Sequence, residues 1–283
     1  MQSRSRRRRM LAVIAFVLAA GASAFAQRLW VGGQRGGGWN RLPPRFASAS
    51  DFDGSFLYCR GYYRSRYREP GGSGWNTDYP GADNNFSIRL MELTTVHVPV
   101  DENRQPNYVV VSLSDPMLFK CPMLFMEDIG TADFSEEEVQ NLRQFFLKGG
   151  FLWVDDYWGS YAWDHWVQEI ARVLPPGEFP IFDVPLTHPI MHTLYDVKDY
   201  LQVPSINFWY GNSGSTSERG ADSAQVHFRG IQDARGHLMV MMTHNTDIAD
   251  TWEREAESPE YFDRFSPRGY AIGVNVVLYA MTH

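Results

Sequence analysis

The chain is 283 residues long, with 26 basic and 33 acidic side chains and a formal net charge of −7. That balance argues against nucleic acid and anionic membrane surfaces as partners. Hydrophobic residues make up 44%, enough apolar mass for one large packed domain.

Residues 1–26 read as an export signal. Arg4, Arg6, Arg7, Arg8 and Arg9 form a basic head, and Met10 to Ala20 is an apolar run too short to span a bilayer. Ala24-Phe25-Ala26 supplies a small-x-small cleavage site. Loss of the five arginines would take the net charge from −7 to −12 and leave 257 residues. The expected destination is the periplasm or the outside. The general secretory route fits best, and Ser5-Arg6-Arg7 hints at twin-arginine export. No membrane span is expected after cleavage. Residues 27–52 are rich in Gly, Arg and Pro without a hydrophobic period, and are expected to form a flexible tether.

Residues 53–283 read as one α/β domain. Phe56-Leu57-Tyr58-Cys59 is a first strand, and a polar loop follows from Arg64 to Gly74. Asp83 or Asn84 is placed to cap a helix running to Leu93. Val96 to Val100 reads as a short strand. Tyr108 to Leu113 is apolar on both faces, as expected of a central parallel strand, and Met123 to Met126 is the next. Ser135-Glu136-Glu137-Glu138 forms a capping box, with Val139, Leu142 and Phe146 at helical spacing and Gly149 at the left-handed exit. Phe151 to Val154 is a buried strand that empties into Asp155-Asp156-Tyr157-Trp158. Ser160 or Asp164 starts a helix that Pro175-Pro176 stops. Ile181-Phe182 is a candidate short strand, and residues 205–230, rich in Gly and Ser, read as an inserted hairpin or surface excursion. His237 to Thr243 is a strand ending in His244-Asn245-Thr246-Asp247, and Ser266-Pro267 opens a final helix. Strands alternating with helices predict a three-layer, mostly parallel sheet with helices on both faces.

In such sheets ligands sit beyond the carboxyl ends of the strands. Four polar clusters are expected at that rim: Thr77-Asp78-Tyr79-Pro80, Asp155 to Trp158, His188 with His192, and His244-Asn245 with Asp247. Asp155, Asp156, His188 and His244 are the candidates for catalysis. Asp78, Tyr79, Trp158, Asn245 and Asp247 are the candidates for ligand binding. Adjacent carboxylates push one pKa upward, which suits a general acid or base. The bland alternative makes one aspartate a helix cap. His188 and His192 stand four apart, but Pro189 keeps His188 at the helix entry and no glutamate lies between them. No resident metal or cofactor is expected; the one metal set entertained combines Asp155 and Asp156 with His188 or His192. Nine tryptophans and fourteen tyrosines suit sugar binding if exposed. Trp75, Trp158, Trp209 and Trp252 are the surface candidates, and Trp153, Trp163 and Trp166 read as core. Cys59 and Cys121, 62 residues apart, are either bonded to each other or two small buried hydrophobes.

Thr77-Asp78-Tyr79-Pro80-Gly81-Ala82-Asp83-Asn84-Asn85-Phe86, with Arg89-Leu90 and Glu92-Leu93-Thr94 after it, resembles the signature of the bacterial family known as domain of unknown function 4159. The capping-box helix and Gly149-Gly150-Phe151-Leu152-Trp153-Val154-Asp155-Asp156 resemble its second signature, so the resemblance covers residues 53–283. It implies a flavodoxin-like fold similar to class I glutamine amidotransferases. The elbow that carries the nucleophilic cysteine in those enzymes holds Asp155-Asp156 here, which speaks against thiol-dependent glutamine hydrolysis. His188-Pro189-Ile190 resembles trehalose-utilisation-like members of the same superfamily, a pointer to sugars. The expected function is therefore an exported, non-catalytic domain binding a small molecule, a glycan or an envelope protein. The rival is a carboxylate-dependent hydrolase using Asp155 or Asp156 with a histidine.

Overall fold

The computed structural model describes residues 43–283; the expected signal at 1–26 and residues 27–42 of the expected tether lie outside them. Seven strands form one sheet: β1 (Tyr58–Tyr62), β2 (Tyr108–Ser112), β3 (Met123–Glu127), β4 (Phe151–Asp155), β5 (Phe182–Asp183), β6 (His227–Gln232) and β7 (Leu238–His244). Their spatial order is β2-β1-β3-β4-β7-β6-β5. The first five run parallel, and β6 and β5 continue the sheet antiparallel. The helices are α1 (Gly81–Leu93), α2 (Glu136–Leu147), α3 (Gly159–Val173), α4 (Ile206–Gly211), α5 (Asp250–Glu253) and α6 (Pro259–Thr282).

The period-2 alternation of the strands divides the core in two. Phe125 and Trp153 face α1, α5 and α6, which contribute Phe86, Trp252 and Val274. Leu124, Met126, Leu152 and Val154 face α2 and α3, which contribute Leu142, Phe146, Trp166 and Ile170. The central strands therefore need apolar residues at every position, which is why they read as continuous hydrophobic runs. Burying each such large side chain stabilises the fold by about 1.5–3 kcal/mol. The result is the three-layer α/β arrangement expected. Among the described residues no helix is long and apolar enough to cross a membrane.

Local chemistry explains both agreements and departures. The Ser135–Glu138 capping box forms in both directions, and Gly149 takes φ 90° at the exit of α2. Tyr108–Ser112 lies at the edge of the sheet rather than its centre. Its edge is covered: Ala47 N donates to Val110 O at 2.9 Å and Val110 N to Arg45 O at 2.8 Å. The end of the expected tether is thus tied to β2, removing an open strand edge. Val96 to Val100 forms no strand; it carries an isolated bridge from Val100 to Pro106, and His97 O accepts from Phe56 N at 3.0 Å. The last helix starts eight residues before Ser266, at Ser258-Pro259, an identical cap signal, and Pro267 is accommodated inside it. Residues 205–230 hold α4, a 3-10 turn and the start of β6. Cys59 and Cys121 are joined in a disulfide with Cα atoms 6.1 Å apart, tying β1 to the approach of β3.

Gly273 of α6 marks a close approach of this helix to α1 and α5. A Cβ there would meet Phe86 Cε2 at 2.5 Å and Trp252 Cζ2 at 2.6 Å. Alanine raises helix propensity by about 1 kcal/mol, but overpacking typically costs about 1–3 kcal/mol. Gly273→Ala is expected to lower the urea midpoint without changing the slope of the transition; a raised midpoint would show that this helix is loosely seated.

Candidate functional site

Three neighbouring parallel strands leave the sheet in the same way. Asp128 follows β3 at φ 49°, Asp156 follows β4 at φ 52°, and Asn245 follows β7 at φ 62°. Asp78, on the loop leading to α1, has φ 57°. Left-handed backbone is costly for residues with a Cβ, and Asp and Asn tolerate it best. These sharp exits turn side chains toward one place beyond the carboxyl ends of the strands. It is also where the strand order reverses, between β1 and β3.

A cavity of about 190 Å³ opens there. Glu69, Asp78, Asp128, Asp156, Glu218, Asp247 and Asp250 line it, with Trp158 and a single arginine, Arg254. That volume suits one small polar group rather than a drug-sized ligand. The nearby cations are already engaged. Arg254 pairs with Asp250 at 3.2 Å, Glu253 at 2.6 Å and Glu257 at 2.7 Å. Arg219 reaches Glu69 at 3.3 Å and Glu218 at 3.4 Å. Beneath the floor Arg60 is fully buried, holding Asp83 through Nε and Nη2 and Glu127 through Nη1.

Five of the expected rim residues meet in this cavity: Thr77, Asp78, Asp156, Trp158 and Asp247. Asp156 Oδ1 accepts from Trp158 Nε1 at 2.8 Å, which turns the indole into its wall. Asp247 Oδ1 accepts from Asp250 N at 2.8 Å. The other expected residues do not line it. Asp155 is a sealed tie between strands: Thr243 Oγ1 donates to it at 2.5 Å and Ala249 N at 3.0 Å. Neither aspartate caps α3; Asn245 Oδ1 takes Gly159 N at 2.7 Å and Asp222 Oδ2 takes Ser160 N at 2.9 Å. Asn245 is thus a structural clamp. His244 is buried between Tyr157 and His227, with Nε2 at 3.0 Å from Gly159 O. Tyr79 turns away to Tyr108, its hydroxyl accepting from Arg45 N at 3.3 Å.

His188 belongs to the other end of the sheet. Its Nδ1 accepts from Ile190 N, and its ring packs 5.7 Å from Tyr279, whose hydroxyl meets Leu238 N at the start of β7. His192 bonds Leu186 O and Asp196 there. The Asp155–Asp156–histidine metal set is therefore not assembled. Asp83, expected as a cap, is instead the buried partner of Arg60. Trp209 and Trp252 are core rather than surface, and Trp158, also expected at the surface, is buried in the cavity wall. Both cysteines are in the disulfide, which leaves no thiol in the chain.

Glu69, Glu127, Asp128, Glu218, Asp250 and Arg254 were not singled out by sequence reasoning. A signal existed for two of them. Met123-Leu124-Phe125-Met126-Glu127-Asp128 repeats the pattern of Phe151 to Asp156, four apolar residues followed by two acids.

Burial and mutual repulsion raise these carboxyl pKa values. Asp155 and Asp250 are pushed to about 7, chiefly by burial. Burial and then Glu69 push Asp128 to about 8, and burial and then Asp78 push Glu253 to about 9. Asp156 and Asp247 lie well above the usual carboxylate range for the same reasons. Burial lowers His244 to about 4.

A raised carboxyl pKa gives stability that is complete below the unfolded value and lost as pH rises through the folded value. The opposing contribution of His244 falls away only below about pH 6.5, the ordinary histidine value. Between pH 6.5 and 9 only the carboxyl effect remains. Thermal midpoints recorded in chelator across that range are expected to fall steadily. A level or rising series would mean the rim acids are already ionised in the folded protein.

No curated protein matches the chain. A family model described as a domain of unknown function (DUF4159) matches residues 64–281, from the loop after β1 through almost all of α6. This chain belongs to the DUF4159 family.

Proposed function

We propose that this is an exported binding domain that captures one small, hydroxyl-rich group of an envelope molecule, of the size of a sugar ring, without turning it over. The observation that carries this reading is the composition of the rim cavity. Carboxylates that accept hydrogen bonds, and protonated ones that donate them, match the hydroxyls of a sugar. Trp158 adds an aromatic wall with its indole N–H already anchored on Asp156. Among the described residues no histidine or cysteine lines it, so they place no imidazole–nucleophile pair there. The parallel strands follow the order 2-1-3-4-7, and a flavodoxin-like reading numbers the same pattern 2-1-3-4-5, with ligands at its switch point. The basic, then apolar, then small-residue leader supports export, and so does the Cys59–Cys121 disulfide.

One observation favours a second reading. Asp156 stands at φ 52° on the turn between β4 and α3, with a pKa well above the usual range because burial and the charges of Asp78 and Glu218 disfavour ionisation. A carboxyl kept protonated at neutral pH is what a glycosidic leaving group needs from a general acid. A hydrolase would then pair Asp156 with a rim carboxylate such as Asp78, since His188 and His244 lie elsewhere.

Sedimentation with purified peptidoglycan sacculi separates the two. Binding predicts retention of the full chain, at least about tenfold weaker for Asp156→Asn, with no soluble fragments released. Fragment release that stops in Asp156→Asn would establish the hydrolase, and no retention would exclude this glycan as the ligand.

A further inference from the structure

Two carboxylate triads share Asp78. Asp78, Glu127 and Asp247 each offer an oxygen, all within 4.8 Å of one another, and so do Asp78, Asp250 and Glu253. The second triad already has its cation, since Arg254 pairs with both Asp250 and Glu253. The first does not. Arg60 takes Glu127 Oε2 and Asp83, but Glu127 Oε1 has no hydrogen-bond partner, although the side chain is fully buried. Asp78 Oδ2 is buried without a partner as well. A buried carboxylate oxygen with no donor is expensive. Here two such oxygens belong to residues whose carboxylates crowd the same spot.

We propose that Asp78, Glu127 and Asp247 form a site for a hard divalent cation of the calcium or magnesium type on the floor of the rim cavity. The donors are all carboxylate oxygens with no imidazole or thiolate, the set that hard cations prefer over zinc or copper. Three protein ligands leave coordination positions open toward the cavity. Water fills them in the free protein, and paired hydroxyls of a bound sugar can replace that water. The site therefore rests on, and deepens, the reading of this cavity as a sugar-binding pocket. It also explains how so acidic a cavity can admit an oxygen-rich ligand, because the cation supplies the positive charge that the engaged arginines cannot.

Isothermal titration of the full chain with calcium, magnesium and manganese chlorides tests the site, after chelator treatment and dialysis. One cation per chain is expected for at least one of these metals, with a matching rise in thermal midpoint. Asp78→Asn, at a half-buried loop position, and Asp247→Asn are each expected to weaken binding at least tenfold. Glu178→Gln, an exposed acid away from the cavity, should leave it unchanged. Circular dichroism confirms that each variant is folded, and Asp78→Asn decides the matter if Asp247→Asn is not. No saturable binding of any of the three metals at millimolar concentration would overturn the site, and so would wild-type affinity in folded Asp78→Asn. Sacculus retention that persists undiminished in chelator would overturn the cation's part in ligand binding and leave the binding reading standing. Cation binding without sacculus retention would uphold the site and exclude this glycan as its ligand.

Discussion

The arrangement of the rim depends on one buried guanidinium. Arg60 lies in the middle of β1, a strand that is otherwise apolar or glycine apart from its terminal tyrosines, and none of its side chain reaches solvent. Its Nε and Nη2 hold Asp83 in the first turn of α1, Nη1 holds Glu127 at the end of β3, and Nη1 also donates to Thr77 O at 2.9 Å. Four segments are thereby pinned to one planar group, including the loop that presents Asp78. Arginine suits this because its fork meets several acceptors at fixed angles and stays charged when buried. Breaking such a pair from one side costs about 3–5 kcal/mol, because a charge is left alone in the interior. The same geometry uses only one oxygen of Glu127 and leaves the other buried without a hydrogen-bond partner.

Over that base the three strand exits act together. Asp128, Asp156 and Asn245 all accept left-handed backbone directly after their strands, and each is fixed by a different neighbour. Gly74 N donates to Asp128 at 2.6 Å, the Trp158 indole donates to Asp156, and Gly159 N donates to Asn245. Asp155 and Thr243 tie β4 to β7 just below. The cavity is therefore held by a rigid sheet edge and braced loops, as precise binding sites require. Concentrating carboxylates there destabilises the fold unless protons, a cation or a ligand offset their repulsion.

Much of the fold was legible in the sequence because local and global preferences agree. The Ser135–Glu138 box, Gly149, the runs 108–113 and 151–154 and the double proline at 175–176 each carry their own mechanism. Tyr108–Ser112 was misplaced to the centre because an edge strand covered by its own chain looks like a central one. The final helix was started late because Ser258-Pro259 and Ser266-Pro267 carry the same local signal, and only packing chooses between them. At the rim, sequence located Asp78, Asp156, Trp158 and Asp247 from their places after strands and in a turn-rich loop. It could not separate Asp155 from Asp156, since successive residues point to opposite sides and only the partner Thr243 reveals which is sealed in. His244 and His188 misled because imidazoles suggest chemistry, whereas one is stacked in the core and the other caps a turn at the far end of β7. Arg60 and Glu127 carried a readable clue, a charge inside a strand and a second apolar run ending in acids, but their pairing is a long-range contact that spacing does not encode.

The acids of this rim are gathered around a cation-sized point between Asp78, Glu127 and Asp247. Anomalous diffraction from crystals of the protein soaked in manganese chloride tests it most directly. One strong peak is expected within coordination distance of all three carboxylates. Manganese bound only at other surface acids, with those three side chains clear of density, would contradict it.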